Sequence, residues 1–119
     1  MELRVPVPAQ ELEEGPEVTL KEDRLKLTLL GEDRVAVVEF VGVKGFQFNS
    51  FAVCSADQME AYGKVVEILR STWIESVTRS SHEALGTIHH YRIFLDEVGC
   101  YDVLCSDVKL SEELSSHAQ

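Results

Sequence analysis

Among side chains able to do chemistry, His89 and Cys105 form one candidate pair, because an imidazole beside a thiol lowers the thiol's pKa and makes a nucleophile. A working dyad also needs an oxyanion donor and a group to orient the ring, and the sequence identifies neither. The plainer expectation is a partly buried histidine beside a small hydrophobic thiol. His82, His89 and His90 lie close together, with Asp96, Glu97 and Cys100 not far away. Neighbours on a strand point to opposite faces, so His89 and His90 cannot ligate one ion without distortion, and neither HxH nor HExxH occurs. No metal is expected. Glu11, Glu13 and Glu14 lack the Asp/Asn/Gly rhythm of a calcium loop and read as a solvated acidic loop. Glu39 and Glu75 interrupt apolar runs; alternation accounts for the first, and Glu75 shares the parity of Trp73, as at a sheet surface. GxSxG, a phosphate-cradling glycine loop and a dinucleotide fingerprint are all missing. The sequence therefore names no cofactor and points away from an enzyme.

These residues must be held by strands. Leu25, Leu27 and Leu29 alternate with Lys26 and Thr28, the period of a half-buried strand. A four-residue turn, GEDR, returns the chain so that the three leucines share a face with Ala36, Val38 and Phe40, and Glu39 faces the other way. The stripe runs on through Gly42 to Phe46 and Phe48, which places both phenylalanines in the core, and a bend at Gly42 or Gly45 lets the strand turn a corner. Near the C-terminus, pairing residues whose numbers add to 194 sets Arg92 opposite Asp102 on an outer face, and Ile93 opposite Tyr101 and Tyr91 opposite Val103 inside. The same register puts His89 opposite Cys105.

Between these hairpins the period changes. Ser55 and Gln58 have capping-box spacing, Asp57 and Glu60 suit a helix N-terminus, Arg70 suits a C-terminus, and Met59, Tyr62, Val66 and Leu69 recur at helical spacing. The pattern predicts one amphipathic helix near residues 56–70, followed by a strand at TWIESV. Residues 1–17 read as an arm with two prolines and an acidic loop, 18–107 as the domain, and 108–119 as a frayed polar tail. The expectation is a single α+β domain: a mainly antiparallel sheet of about six strands, able to curl into a roll, with the helix packed on it.

The chain has 119 residues, 21 acidic against 11 basic, for a net charge of -10. Such a charge repels phosphate backbones and favours cationic partners. No apolar run is long enough to span a bilayer, and three cysteines without CxxC spacing suggest reduced thiols, so a cytoplasmic protein without a membrane partner is expected.

One stretch, KGFQFNSF at residues 44–51, resembles the eight-residue ribonucleoprotein signature of RNA-recognition and cold-shock domains at five positions. That resemblance implies exposed aromatics stacking on single-stranded nucleic acid. Gln47 and Asn49 depart from it, and the RNA-recognition fold needs a helix between its first two strands where this chain has a short turn. Nucleic-acid binding is therefore the least favoured reading. The preferred one is protein–protein recognition by a small acidic, inhibitor-like accessory module directed at a basic partner. In layout the chain resembles, in a general way, small bacterial proteins, and in size and charge the immunity proteins of bacterial toxin systems. The alternative is a small-molecule-binding or enzymatic domain using the interior of the curved sheet, near Phe46, Phe48, Tyr91 and Tyr101. A third reading is a homodimer built on an exposed edge strand.

Overall fold

The computed structural model describes residues 4–6, 16–30, 34–62, 64–95 and 98–114. The acidic loop with Glu11, Glu13 and Glu14, the tip of the GEDR turn, and Asp96 and Glu97 lie outside the described residues. In chain order the elements are β1 (Arg4–Pro6), β2 (Glu17–Lys21), β3 (Arg24–Leu30), β4 (Arg34–Val41), β5 (Gly45–Ser50), a 3-10 turn (Phe51–Val53) and α1 (Ala56–Met59). There follow β6 (Lys64–Glu67), α2 (Thr72–Ser80), β7 (His89–Leu95), β8 (Gly99–Cys105) and β9 (Asp107–Leu114). The strands make two antiparallel sheets, β1-β6-β7-β8-β5 and β2-β3-β4-β9. The fold is a single α+β domain dominated by antiparallel sheet.

The alternation read from the sequence sets the core. Leu25 pairs with Phe40, Leu27 with Val38 and Leu29 with Ala36, and all six side chains are fully buried. They meet Val65, Tyr91, Ile93, Tyr101, Val103 and Cys105 of the other sheet in one cluster, so the sheets pack face to face. The β7–β8 register is the expected one, with Arg92 opposite Asp102, Ile93 opposite Tyr101 and His89 opposite Cys105.

The two sheets are joined at a folded corner. β4 pairs with β9, and its continuation β5 pairs with β8, so two neighbouring strands leave one sheet and enter the other together. Gly42 makes the bend at φ 68°, and a Cβ there would come 2.4 Å from Ser106 Oγ at the matching bend between β8 and β9. The Ser106 N–H donates to the Val41 carbonyl at 2.9 Å and closes the corner.

Four expectations are corrected. The helix over 56–70 is a single turn, α1, followed by strand β6. Its capping box is present, Ser55 and Gln58 each accepting from the other's N–H. Beyond it, Val65 enters the main core and Val66 a second cluster on the opposite face. A strand buried on both sides carries no alternation and can pass for part of a helix. TWIESV is not a strand but most of α2, whose N-cap Ser71 accepts from the Ile74 N–H at 3.1 Å. Residues 108–114 of the expected tail belong to β9, which is paired along β4. Phe46 and Phe48 do point to the core-facing side, opposite Val103 and Tyr101, but β5 is an edge strand and they remain 40% and 44% exposed.

The two-residue turn between β2 and β3 holds Glu22 at φ 57°, a position where a side chain is strained and glycine is not. Glu22→Gly is expected to stabilise the protein by about 0.5 kcal/mol, after glycine's greater unfolded-state entropy is allowed for. Chemical denaturation reads the difference.

Candidate functional site

His89 and Cys105 are neighbours across β7 and β8, but each has other business. His89 Nδ1 lies 2.6 Å from Glu67 Oε2, and its ring stacks on Tyr91. The Cys105 thiol donates to the Asp107 carbonyl at 3.4 Å, and burial, reinforced by the nearby Asp107 and Glu67 carboxylates, pushes its pKa up to about 12. Burial of this kind disfavours the thiolate, the form in which a cysteine attacks. Burial also raises the Cys100 and Cys54 thiols. Among the described residues no three His, Cys, Asp or Glu side chains converge to hold a metal ion.

Tyr91 and Tyr101 are buried members of the core cluster. Tyr91 packs on Phe40 with ring centroids 6.3 Å apart, whereas Tyr101 packs on Phe48 at 4.8 Å. The four residues proposed to line an interior ligand site therefore divide between a packed core and an exposed edge. Grooves are found instead on the surface. One of about 340 Å³ crosses the outer face of the four-stranded sheet, lined by Lys21, Arg24, Lys26 and Glu39 among others. Its cations lie on the opposite side of that sheet from the core, whereas Phe46 and Phe48 point coreward, so the aromatics and the basic groove do not form one nucleic-acid platform.

Sequence reasoning paired Arg92 with Asp102 but missed the polar cluster that surrounds them on the outer face of the five-stranded sheet. Ser71 Oγ lies 2.8 Å from His90 Nδ1, and His90 Nε2 lies 2.7 Å from Asp102 Oδ1. The Arg92 Nε–H donates to the same carboxylate oxygen at 2.7 Å, while Gln58 and the Cys100 thiol donate to Oδ2 at 3.2 and 3.5 Å. Ser71, His90 and Asp102 are all buried. The Nε2–H tautomer of His90 satisfies every group, with Ser71 donating to Nδ1 and His90 donating to Asp102. Desolvation raises the Asp102 pKa, but hydrogen bonds from His90 and Arg92, together with the Arg92 charge, outweigh it and hold the carboxyl below its ordinary value.

These are the residue types of a hydrolytic triad, but the arrangement suits a keystone better. A nucleophilic serine must be reached by substrate, and Ser71 is 6% exposed, with its oxygen also capping α2. Asp102 is saturated by four donors, so little of its charge is left for a developing imidazolium. What the cluster does is fasten both helical segments to the sheet: Gln58 comes from α1, and Ser71 caps α2. Trp73 of α2 adds an edge contact to the His90 ring at 5.4 Å and lies over Gly45, where a Cβ would be 3.4 Å from its ring. The expected pairing of Arg92 with Asp102 is thus real, but on a covered face rather than in solvent.

Beyond the keystone, the segment from Phe51 to Tyr62 wraps the small cluster of Ala61, Val66, Phe94 and Cys100. Phe51 and Tyr62 both lie against the Phe94 ring, with centroids 5.9 and 6.1 Å away. Even so, Phe51, Val53, Met59 and Tyr62 all remain exposed, Val53 at 64%. Asp57 and Glu60, both exposed, stand in the same segment. No helix among the described residues is long and apolar enough to cross a membrane. Comparison with family models, with curated proteins and with solved structures gives no match, so the geometry alone carries the functional reading.

Proposed function

We propose that the protein acts by binding another protein rather than by catalysis, and that residues 51–62 form its recognition surface. The observation that carries this reading is the grouping of four exposed apolar side chains, Phe51, Val53, Met59 and Tyr62, with two exposed carboxylates in one segment. Scattered apolar residues on a surface need no explanation, but a group of them with a charged rim has the composition of an interface. The segment is also well fixed for the purpose. The α1 capping box, the Gln58–Asp102 hydrogen bond and the two aromatic contacts to Phe94 hold it before any partner arrives, which lowers the ordering cost of association.

Charge specifies the partner. Asp57 and Glu60 lie within a chain of net charge -10, so a cationic protein with an apolar anchor is the complement, and long-range attraction speeds its encounter. Affinity capture from native lysate with the wild-type chain should recover a basic protein at low and moderate salt. Val53→Lys, at an exposed position, should weaken its retention by about tenfold or more, and Asp57→Lys should mainly reduce capture at low salt. Recovery of the protein alone at both salt concentrations, or capture that Val53→Lys leaves unchanged, overturns the proposal.

A further inference from the structure

Among the described residues the two sheets have four edge strands, and three of them carry residues that discourage strand pairing. β1 contains Pro6, which has no N–H to pair, β2 has Glu17 and Lys21, and β9 has Asp107 and Lys109. Charged side chains and proline are the usual means of blunting an edge. β5, with the sequence GFQFNS, has neither.

Its backbone is set for pairing. The Phe51 N–H donates to the Val98 carbonyl at 3.1 Å in line with the β5–β8 register. In an antiparallel ladder hydrogen-bonded positions alternate, so Gly45, Gln47 and Asn49 turn their backbone groups toward β8. Phe46 and Phe48 then direct their N–H and C=O groups to the free side, where no described strand pairs. Their side chains, 40% and 44% exposed, lie on the core-facing side of that same edge. Hydrogen-bonding groups and unburied apolar surface therefore coincide at two residues.

We propose that β5 is a homodimer edge, pairing antiparallel with β5 of a second copy about a two-fold axis at Gln47. The strand is self-complementary for this register. Phe46 falls opposite Phe48 of the second copy, and each of these two pairs exchanges two hydrogen bonds through the outward groups just identified. Gln47 meets its own symmetry mate, and Lys44 falls opposite Ser50. No acid from either strand enters the contact, so the net negative charge of the two chains is not concentrated there. The pairing makes one continuous sheet from two five-stranded ones, the isologous arrangement of a two-fold dimer. It uses a different surface from the proposed partner patch, so either proposal can fail alone.

Sedimentation equilibrium of the wild-type chain should show a concentration-dependent rise from 13.4 kDa toward twice that mass. Phe48→Lys and Gln47→Lys, both at exposed positions, should weaken self-association by about tenfold or more while the monomer still unfolds in one cooperative urea transition, shifted only modestly. Gln47→Cys tests the register. At a non-hydrogen-bonded pair the Cα atoms stand about 4.5 Å apart, within disulfide range. Mild oxidation should therefore give a covalent dimer that the wild-type chain, whose thiols include the part-exposed Cys54, does not form. A monomer at every concentration overturns the proposal. So does a dimer that Phe48→Lys leaves intact, or one that Gln47→Cys does not link.

Discussion

Asp102→Ala is expected to destabilise the fold by about 3–5 kcal/mol, because it leaves a buried histidine and a largely buried arginine without their common acceptor. The Asp102 carboxylate receives His90, Arg92, Gln58 and Cys100. Its loss frees Gln58 of α1 and leaves the His90 ring, which holds α2 through Ser71, without its acceptor. Urea denaturation measures the effect, and Asp57→Ala, at an exposed position on α1, is the control, expected to stay within about 0.5 kcal/mol of wild type. A value for Asp102→Ala as small as the control's would show that the cluster is solvated and holds nothing.

The same carboxyl gives a pH dependence with a defined sign. Although desolvation acts against it, the hydrogen bonds from His90 and Arg92 depress the folded-state pKa below 3.8. Above the unfolded-state value, about 3.9 for aspartate, its contribution to stability is fully present. It is lost as pH falls from there through the lower folded-state value. Wild type should therefore lose stability more steeply than Asp102→Ala below about pH 4, and parallel acid profiles for the two proteins would contradict the assignment.

Phe40→Ala should cost a comparable amount, about 3–5 kcal/mol. Its ring is fully buried, packs on Tyr91 and belongs to the cluster contributed by both sheets, so no single side chain can fill the space it leaves. Phe48→Ala removes the same atoms from an edge position 44% exposed. At protein concentrations low enough to keep the chain monomeric, it should cost about 1 kcal/mol or less. The contrast separates two phenylalanines that follow one alternating stripe in the sequence. Equal losses would mean that β5 is covered in the monomer.

That stripe shows how far sequence could reach. Alternation at Leu25, Leu27 and Leu29 against Ala36, Val38 and Phe40 is a two-strand property, settled by side-chain period and a short turn, and the structure reproduces it pair by pair. The β7–β8 register is the same kind of fact, and a bend at Gly42 or Gly45 needed only a residue free to turn the backbone, the structure placing it at Gly42 with positive φ. Exposure is a different matter. Phe46 and Phe48 have the parity of core residues, and only the position of β5 at the end of its sheet leaves them uncovered.

The candidate sites divide along the same line. His89 was legible as the neighbour of Cys105, but its bond to Glu67 depends on β6 standing beside β7, and β6 was hidden in an apparent helical period. Ser71, His90 and Asp102 come from a helix cap and two strands, and no local period links them. Their one trace in the sequence is an aspartate inside the apolar run GCYDVLC, opposite an arginine. Sequence by itself determined the antiparallel class, two hairpin registers, a corner at Gly42 or Gly45 and the acidic balance, since each follows from local period, backbone freedom or a count of charges. Tertiary structure alone decided which faces are covered: α2 and α1 close over Asp102 and turn a charged pair into a buried keystone, while β5, with no described neighbour on one side, stays open.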